Sequence, residues 1–478
     1  MRRRTLIKAG LTAPIGAVGV AGCVQSPPSP AFGSHRALIL RDDPDYERWR
    51  QGMAWQTYKH ARYPDVIARP RTAVEVADAV RYARRNRLKV VVRSGGHNVS
   101  GAFFRDGGLL LDLGAFRSVQ IDAPSATAWV QPALWSRNLA LQLGANDFAF
   151  PYAHCGTVPM GGYLLGGGVG MNGDNWGGMA CANILEAEVV LASGEVVRAS
   201  ADEHTELLWA VRGSGTGFPG IVTGYRLALH PAPKVMTGST YVFPLPAAAE
   251  AAAWMNRVRG EAPPDTELMM LLAHTPQGPV AMARFVVFTD DADSAEKLLG
   301  GFARAPEAQK AVARMERVPT DFEGWFRGSV DYSVGLGFGS YGVETIWTDR
   351  LPETVDALTG LFSRAPSPMS HVLISPRIHT APPADSAFSV LGESFLGVYS
   401  VWNDGRNREN LSWLEECALA MEPFGHGRYV NETDGFVVPE RVHSAFSETA
   451  WTRIGQLRRR VDPDGVFFGF PGWEDRPV

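Results

Sequence analysis

The chain has 478 residues, of which 45% are hydrophobic and 20% are charged, and its formal net charge is −4. This length is enough for two or three domains, and the composition is typical of a soluble globular protein. The small negative charge excludes the basic surface of a nucleic-acid-binding protein. The four cysteines are too few for a disulfide framework, and we expect no metal site.

Residues 1–30 predict a targeting segment and a tether, which are separate from the fold. A basic stretch that includes Arg3, Arg4 and Lys8 precedes an uncharged run from Ala9 to Gly22. The pair of arginines resembles a twin-arginine signal, which directs folded proteins to the Tat export machinery. We therefore expect export to the cell envelope or the periplasm.

The uncharged run ends in Val20-Ala21-Gly22-Cys23, which resembles a lipobox. In this interpretation Cys23 is acylated, becomes the mature N-terminus and forms a lipid anchor. The alternative is ordinary cleavage nearby, after which Cys23 is discarded. The proline-rich stretch up to Pro30 indicates an extended tether.

A helix, a strand and a glycine turn then follow one another along the chain. Thr72 and Glu75 form a capping box that predicts the start of a helix. Three valines at 90–92 predict a buried strand. That strand ends in a loop made of Arg93, Ser94, Gly95, Gly96, His97 and Asn98. Two glycines let backbone N–H groups approach a pyrophosphate closely, although such a stretch alone is also typical of an ordinary turn.

A second glycine-rich stretch runs from His154 to Gly170 and contains seven glycines together with Cys155. Glycine is disfavoured inside helices and central strands, so we expect neither element here. The backbone of this stretch is instead predicted to wrap closely around a ligand.

Together, the two stretches resemble the motifs of one flavoprotein family. Arg-Ser-Gly-Gly-His at 93–97, followed by Cys-Gly-Thr-Val at 155–158 and its glycine run, is similar to the berberine-bridge-enzyme-like oxidases. These belong to the PCMH-type, or vanillyl-alcohol-oxidase, superfamily. The resemblance implies an FAD cofactor that is attached twice, through His97 to the flavin 8α-methyl group and through Cys155 to flavin C6.

The resemblance assigns further residues to FAD. A glycine-rich loop at 212–217 leads into a strand that begins at Ile221, which in the family lies by the adenosine part of FAD. A small side chain at Val158 goes with oxidases in families of this type, so we predict dioxygen as the electron acceptor. The alternative is that Val158 only packs the loop. The other predicted FAD-binding residues are Thr157, Gly161, Gly162, Gly166, Gly167, Val169, Gly170 and Val222.

The fold class is predicted to be α+β, because strands alternate irregularly with helices and no βαβ unit repeats. We predict a PCMH-type FAD-binding domain of two subdomains at 60–232. An antiparallel sheet with helices on one face is predicted to form the substrate-binding domain at 233–425, as the resemblance also implies. Residues 426–478 are predicted to return to the FAD-binding domain as a berberine-bridge-like closing segment.

The closing segment supplies the main candidates for a catalytic base. It contains Tyr429 and Glu432 at positions where the family usually has two tyrosines, so Glu432 departs from the family pattern. A carboxylate whose pKa is raised by burial is a good proton acceptor. Glu393 is a weaker third candidate. For Tyr429 the alternative is a packing role, and for Glu432 the alternative is a solvated surface position.

We therefore predict an exported FAD-dependent oxidase. It would remove a hydride from an alcohol, a hemiacetal or a related small-molecule donor and reduce O2 to H2O2. Two alternatives are a flavin dehydrogenase with another electron acceptor, and a flavoprotein that binds and sequesters a small molecule without turnover. Neither the substrate nor the oligomeric state follows from the sequence.

Replacement of both Arg3 and Arg4 by Lys keeps the charge and removes the planar guanidinium groups. The double variant should therefore accumulate in the cytoplasm, which fractionation of cells expressing the full chain would measure. Cys23→Ala should leave the exported protein unattached to the membrane. Normal export of the double-lysine variant would contradict the twin-arginine assignment.

Overall fold

The computed structural model describes residues 38–328, 339–379 and 381–471. The predicted targeting segment at 1–30 lies outside these ranges, so the twin-arginine signal and the lipid anchor stay predictions. Helices and strands are both abundant in the described chain, and the predicted α+β class is confirmed. Within the same ranges, no helix is both long and apolar enough to cross a bilayer.

The bounds of the described elements are as follows. The α-helices are α1 (Tyr46–Gly52), α2 (Ala73–Arg85), α3 (Ser136–Gly144), α4 (Met160–Leu165), α5 (Thr205–Val211), α6 (Ala248–Glu261), α7 (Ala292–Ala303), α8 (Phe322–Gly328), α9 (Leu351–Ser363), α10 (Asn407–Met421), α11 (Pro439–His443) and α12 (Glu448–Val461). The strands are β1 (Leu38–Leu40), β2 (Val66–Ala68), β3 (Val90–Arg93), β4 (Leu109–Asp112), β5 (Val119–Asp122), β6 (Thr127–Val130), β7 (Phe148–Ala149), β8 (Ile184–Val190), β9 (Val196–Ala199), β10 (Ile221–Ala228), β11 (His230–Pro231), β12 (Val235–Pro244), β13 (Thr266–Thr275), β14 (Gly278–Thr289), β15 (Ala313–Thr320), β16 (Ser340–Thr348), β17 (His371–Pro376), β18 (Ser394–Trp402) and β19 (Gly425–Gly427).

Two small sheets make up the N-terminal half of the molecule. The first has the order β1-β2-β4-β3, with β4 parallel to both β2 and β3. The predicted capping box is confirmed, because the Thr72 hydroxyl accepts from the Glu75 N–H at the start of α2. The second sheet has the order β5-β6-β10-β8-β9 and is antiparallel. These are two subdomains, and β1 extends the first of them to residues before the predicted boundary at 60.

The glycine-rich stretch contains a helix, so the expectation of no regular structure there is wrong. The helix is α4, and its side chains at Met160, Tyr163 and Leu164 are buried in the core. These three anchors hold one and a half turns in place despite the glycines beside them. Gly161 lies on the crowded side, where a Cβ would come within 2.8 Å of the Pro132 side chain.

The third sheet is the predicted antiparallel sheet of the C-terminal half. Its order is β15-β12-β14-β13-β17-β18-β16-β19. The helices α6, α7, α9 and α10 pack on one face and form a separate core around residues such as Trp254 and Phe362. On the other face, Val286, Trp347 and Phe395 join the core of the second sheet. The core of the second sheet therefore packs on the face of the third sheet that is turned away from these helices.

The closing segment contacts both the third sheet and the first sheet. Its strand β19 pairs with β16 at the edge of the third sheet. After α12 the chain reaches the first sheet, where the Val90 N–H donates to Val466 O (2.7 Å) and the Phe468 N–H donates to Val90 O (3.0 Å). The closing segment therefore contacts the first sheet of the N-terminal half.

Candidate active site

The loop after β3 presents unpaired backbone donors. Its Gly96 has a φ of +71°, and a Cβ there would lie 1.8 Å from Met53 O, so only glycine fits. Arg93 supports the loop from below, donating to Asp112 Oδ1 (2.7 Å) and Gly95 O (3.0 Å). Within the described chain, no protein acceptor is found for the N–H groups from Gly95 to Asn98. Four successive free N–H groups are suited to hold an anion such as a pyrophosphate.

The predicted attachment residues His97 and Cys155 lie side by side. Their Nε2 and Sγ atoms are 3.4 Å apart, although 58 positions separate them in the chain. Thr157 is also close, with its hydroxyl oxygen 3.3 Å from the same sulfur. Burial lowers the pKa of His97 to about 4, so its imidazole is neutral at pH 7 and retains a nucleophilic nitrogen.

Trp55 fixes the orientation of the His97 ring. The two rings are stacked with centroids 4.6 Å apart and an interplanar angle of 13°. The indole N–H donates to His97 O at 2.7 Å. Tyr341 of β16 contacts the Trp55 ring as well, at 4.6 Å between centroids. Trp55 could not be predicted from the sequence, because its role depends on a contact between segments 42 residues apart.

The closing segment packs directly on the glycine run. Gly166 touches the Asn431 side chain so closely that a Cβ would lie 2.1 Å from its Oδ1 atom. The N–H of Gly168 donates to the Tyr429 hydroxyl at 3.0 Å. A Cβ added at Gly162 would meet no described atom within 4 Å, so this residue borders open space. The run therefore combines close backbone packing with room on one side.

The remaining predicted cofactor residues flank these loops. Val158 and Val169 are half-buried against the core of the second sheet. Ile221 and Val222 are buried at the start of β10. The hydroxyl of Ser214, in the loop before β10, is buried and has no partner among the described residues. Free amides, a glycine cradle and an orphaned hydroxyl are features that fit FAD, and the assignment of these residues to the cofactor stays a prediction.

Glu432 is a half-buried carboxyl group with one hydroxyl partner. The Tyr399 hydroxyl donates to its Oε2 atom at 2.8 Å. Burial raises the pKa of Glu432 to about 7, against the opposing effects of the Tyr399 hydroxyl and of His154. Burial also raises the pKa of Tyr399 well above its usual value, with Glu432 and Cys155 adding to the effect. The side chains of Glu432, Tyr399, His154 and Cys155 therefore lie close enough to influence one another's charge.

Tyr429 and Glu393 occupy different surroundings. The Tyr429 hydroxyl accepts from the Gly168 N–H and from the Asn431 side-chain amide, both at 3.0 Å. Burial raises the pKa of Tyr429 far above its usual range, so it is a poor proton acceptor at pH 7. Glu393 pairs with Arg259 of α6 at 2.6 Å and is one-third exposed. The geometry thus favours Glu432 among the three predicted bases.

A buried acid lies close to the predicted attachment residue Cys155. Glu267 of β13 contacts Nε2 of His154 and accepts from the Asn172 N–H at 2.8 Å. Burial alone would raise the pKa of Glu267, but the His154 ring and the Asn172 amide lower it below its usual value. The pair joins the third sheet to the glycine-rich stretch. From the sequence, only the alternation of β13 could have indicated this pair, because it places Glu267 and Leu268 on opposite faces of the sheet.

Comparison with known proteins places the chain among FAD-dependent enzymes. Residues 64–200 match the family described as FAD binding domain. The chain is 26% identical over 442 residues to FAD-linked oxidoreductase janO of Penicillium janthinellum, covering 90% of this chain and 97% of that protein. The structure of 6-hydroxy-D-nicotine oxidase from Arthrobacter nicotinovorans is similar with a TM-score of 0.78 and 23% identity, covering 92% of this chain and 98% of that one.

Berberine bridge enzyme from Eschscholzia californica has a similar structure as well. The TM-score is 0.77 at 20% identity, and the match covers 91% of this chain and 97% of that one. A glycine-to-alanine variant of berberine bridge enzyme is described as a reticuline dehydrogenase. These structural similarities support the two-domain α+β fold derived above.

Proposed function

We propose that this chain, an FAD-linked oxidoreductase of the berberine-bridge-enzyme-like type, oxidises an alcohol, a hemiacetal or a related small-molecule donor and passes the electrons to dioxygen. One observation carries the proposal. The half-buried carboxyl group of Glu432, held by Tyr399, follows directly after Asn431, whose carbonyl accepts from Asn98 in the His97 loop at 3.1 Å. A proton acceptor therefore lies beside the residues that would hold the flavin.

The chemistry divides between cofactor and protein. FAD supplies the hydride acceptor when it is bound. Glu432 accepts the proton of the donor hydroxyl group, for which a pKa of about 7 is well matched to neutral pH. Tyr399 orients the carboxyl group through its hydroxyl and stabilises the ionised form.

The proposal includes two covalent bonds to FAD, through His97 and Cys155. Their 3.4 Å separation supports attachment of both residues to one ring system. A neutral His97 imidazole has a lone pair available for the bond. Trp55 stacks on the imidazole and limits its rotation, which favours one fixed orientation.

The proposal names dioxygen as electron acceptor and the cell envelope or periplasm as location. Val158 supports dioxygen as the electron acceptor, because it lies three residues after Cys155 and is only half-buried. A variant of berberine bridge enzyme in which alanine replaces a glycine is described as a dehydrogenase. The two residues differ by one methyl group, which illustrates how small a change bears on the electron acceptor. The export route by the Tat machinery rests on Arg3 and Arg4.

Glu432→Gln keeps the shape of the side chain and removes its ability to accept a proton. Anaerobic flavin reduction by a donor should slow by about 10²–10⁴-fold. In the wild type the rate should rise with pH and be half-maximal near pH 7, because the ionised carboxylate is the active form and its pKa is about 7. The variant should lose this inflection. Glu393→Gln is the matched control, and equal losses in the two variants would contradict the assignment.

His97→Ala and Cys155→Ala should each retain one covalent bond to FAD, and the double variant should retain none. Acid precipitation followed by absorption of the pellet measures attached flavin, and peptide mapping identifies the bonded residue. Cys181→Ala is the matched control, since that cysteine is fully buried in the core. Quantitative release of free FAD from the wild type would contradict double attachment.

Val158→Leu adds one carbon beside the Cys155 loop and should restrict the approach of dioxygen. Reoxidation of the reduced enzyme by oxygen should slow by about 10-fold or more, which is the effect of a methylene group in a confined site. Reduction by the donor should be nearly unchanged, and stopped-flow measurements separate the two half-reactions. Slow reoxidation of the wild type itself would favour a dehydrogenase instead.

A further inference from the structure

The face of the third sheet that lies opposite the helices is unusually apolar at its centre. On β13, the residues that face the helices are buried in their core, namely Leu268, Met270 and Leu272. An antiparallel sheet normally carries polar residues on those parts of its second face that no core covers, and the core of the second sheet covers this face only in part. Here Leu271 and Ala273 are apolar and only half-buried. This break in the usual alternation indicates a surface that binds something apolar.

The register of the strands places three large apolar side chains in one line, which we call the apolar row. Leu271 is paired with Met282 of β14 on one side and with Leu373 of β17 on the other. Strands lie about 4.8 Å apart, so the row extends over about 10 Å. All three side chains are half-buried, and none is part of the hydrophobic cores formed by the described residues.

The apolar row leads to the candidate base. Leu373 is paired with Gly397 of β18, and the Tyr399 ring lies over that glycine, where a Cβ would be 2.9 Å from its Cε2 atom. The Tyr399 hydroxyl then contacts Glu432. A molecule lying along the row would therefore bring one end to the carboxyl group that accepts the proton.

Charged groups of the same face lie in other rows. Arg284 is paired with Met269 and covers the Trp325 ring at 4.3 Å from its centroid. Glu267 is paired with His154. Among the described residues, neither charge interrupts the line from Met282 to Gly397, and the side chains of Met282, Leu271 and Leu373 themselves offer no polar partner to a hydroxyl group. A sugar placed there would lose the hydration of its hydroxyl groups without compensation.

We propose that the apolar row formed by Met282, Leu271 and Leu373 binds the hydrocarbon body of the donor, and that the substrate class is primary or secondary alcohols carrying at least one apolar ring rather than sugars. This inference rests on the proposed oxidation, since it uses Glu432 as the point at which the reacting hydroxyl group is held.

The test uses the holoenzyme under anaerobic conditions with three probes: benzyl alcohol, its naphthyl analogue and D-glucose. The ratio of the flavin reduction rate to the dissociation constant should be at least about 10-fold higher for the naphthyl than for the benzyl compound, as extra apolar contact typically gives. D-glucose should be poorer than both. A higher ratio for D-glucose than for the two aryl alcohols would overturn the proposal.

Leu271→Asn and Leu373→Asn should each weaken binding of the naphthyl alcohol by about 10-fold. The limiting reduction rate at saturation should stay within roughly 2-fold, since the contact is equal in ground and transition states. Leu419→Asn is the matched control, because that leucine is 55% exposed on α10. Unchanged binding in both row variants would contradict the role of the row.

Binding and oxidation can be distinguished in the same experiment. If none of the alcohols reduces the flavin, the proposed oxidation fails for this class. The change in flavin absorption on titration with the three probes then still reports their affinities. A naphthyl preference that Leu373→Asn removes would uphold the apolar row, and equal or absent binding of all three probes would overturn it.

Discussion

The hydrogen bonds of Asn431 and Tyr429 join the two glycine-rich loops to the third sheet, and the candidate site depends on them. Asn431 accepts from Asn98 through its carbonyl and donates to the Tyr429 hydroxyl, which accepts from Gly168 in turn. An unpaired buried polar group costs about 1–3 kcal/mol, so this network stabilises one arrangement of the three segments. Glu432 is the next residue along the chain, and its position follows from theirs.

A buried ionic cluster holds the same segment from the other side of the sheet. Glu344 of β16 binds Arg428 at 2.9 Å and Arg441 at 3.2 Å. Burial raises the pKa of Glu344 to about 7, and the two guanidinium groups oppose that effect. Loss of one partner from a buried pair typically costs about 3–5 kcal/mol because the other charge stays unpaired. The cluster therefore specifies where the closing segment docks.

Local sequence patterns predicted a large part of this structure. The capping box at Thr72, the strand before the His97 loop and the α+β class depend on short-range chemistry that a sequence displays directly. The two attachment motifs identified FAD because few families have both. The helix at Met160 was not predicted, since its stability comes from three buried side chains whose surroundings are formed by distant residues. Tyr399 and Trp55 were missed for the same reason: the register of β18 and a contact over 42 residues define their roles.

The pairing of Val90 with Val466 and Phe468 has a consequence for the order of biosynthesis. The ribosome makes the first sheet early, but the segment that pairs with its edge emerges more than 370 residues later. Until then, Val90 exposes an unsatisfied edge next to the loop that would hold the cofactor. The loop beside this edge therefore gains its final support only after residues 466–468 have been made, which is late in the synthesis of the chain.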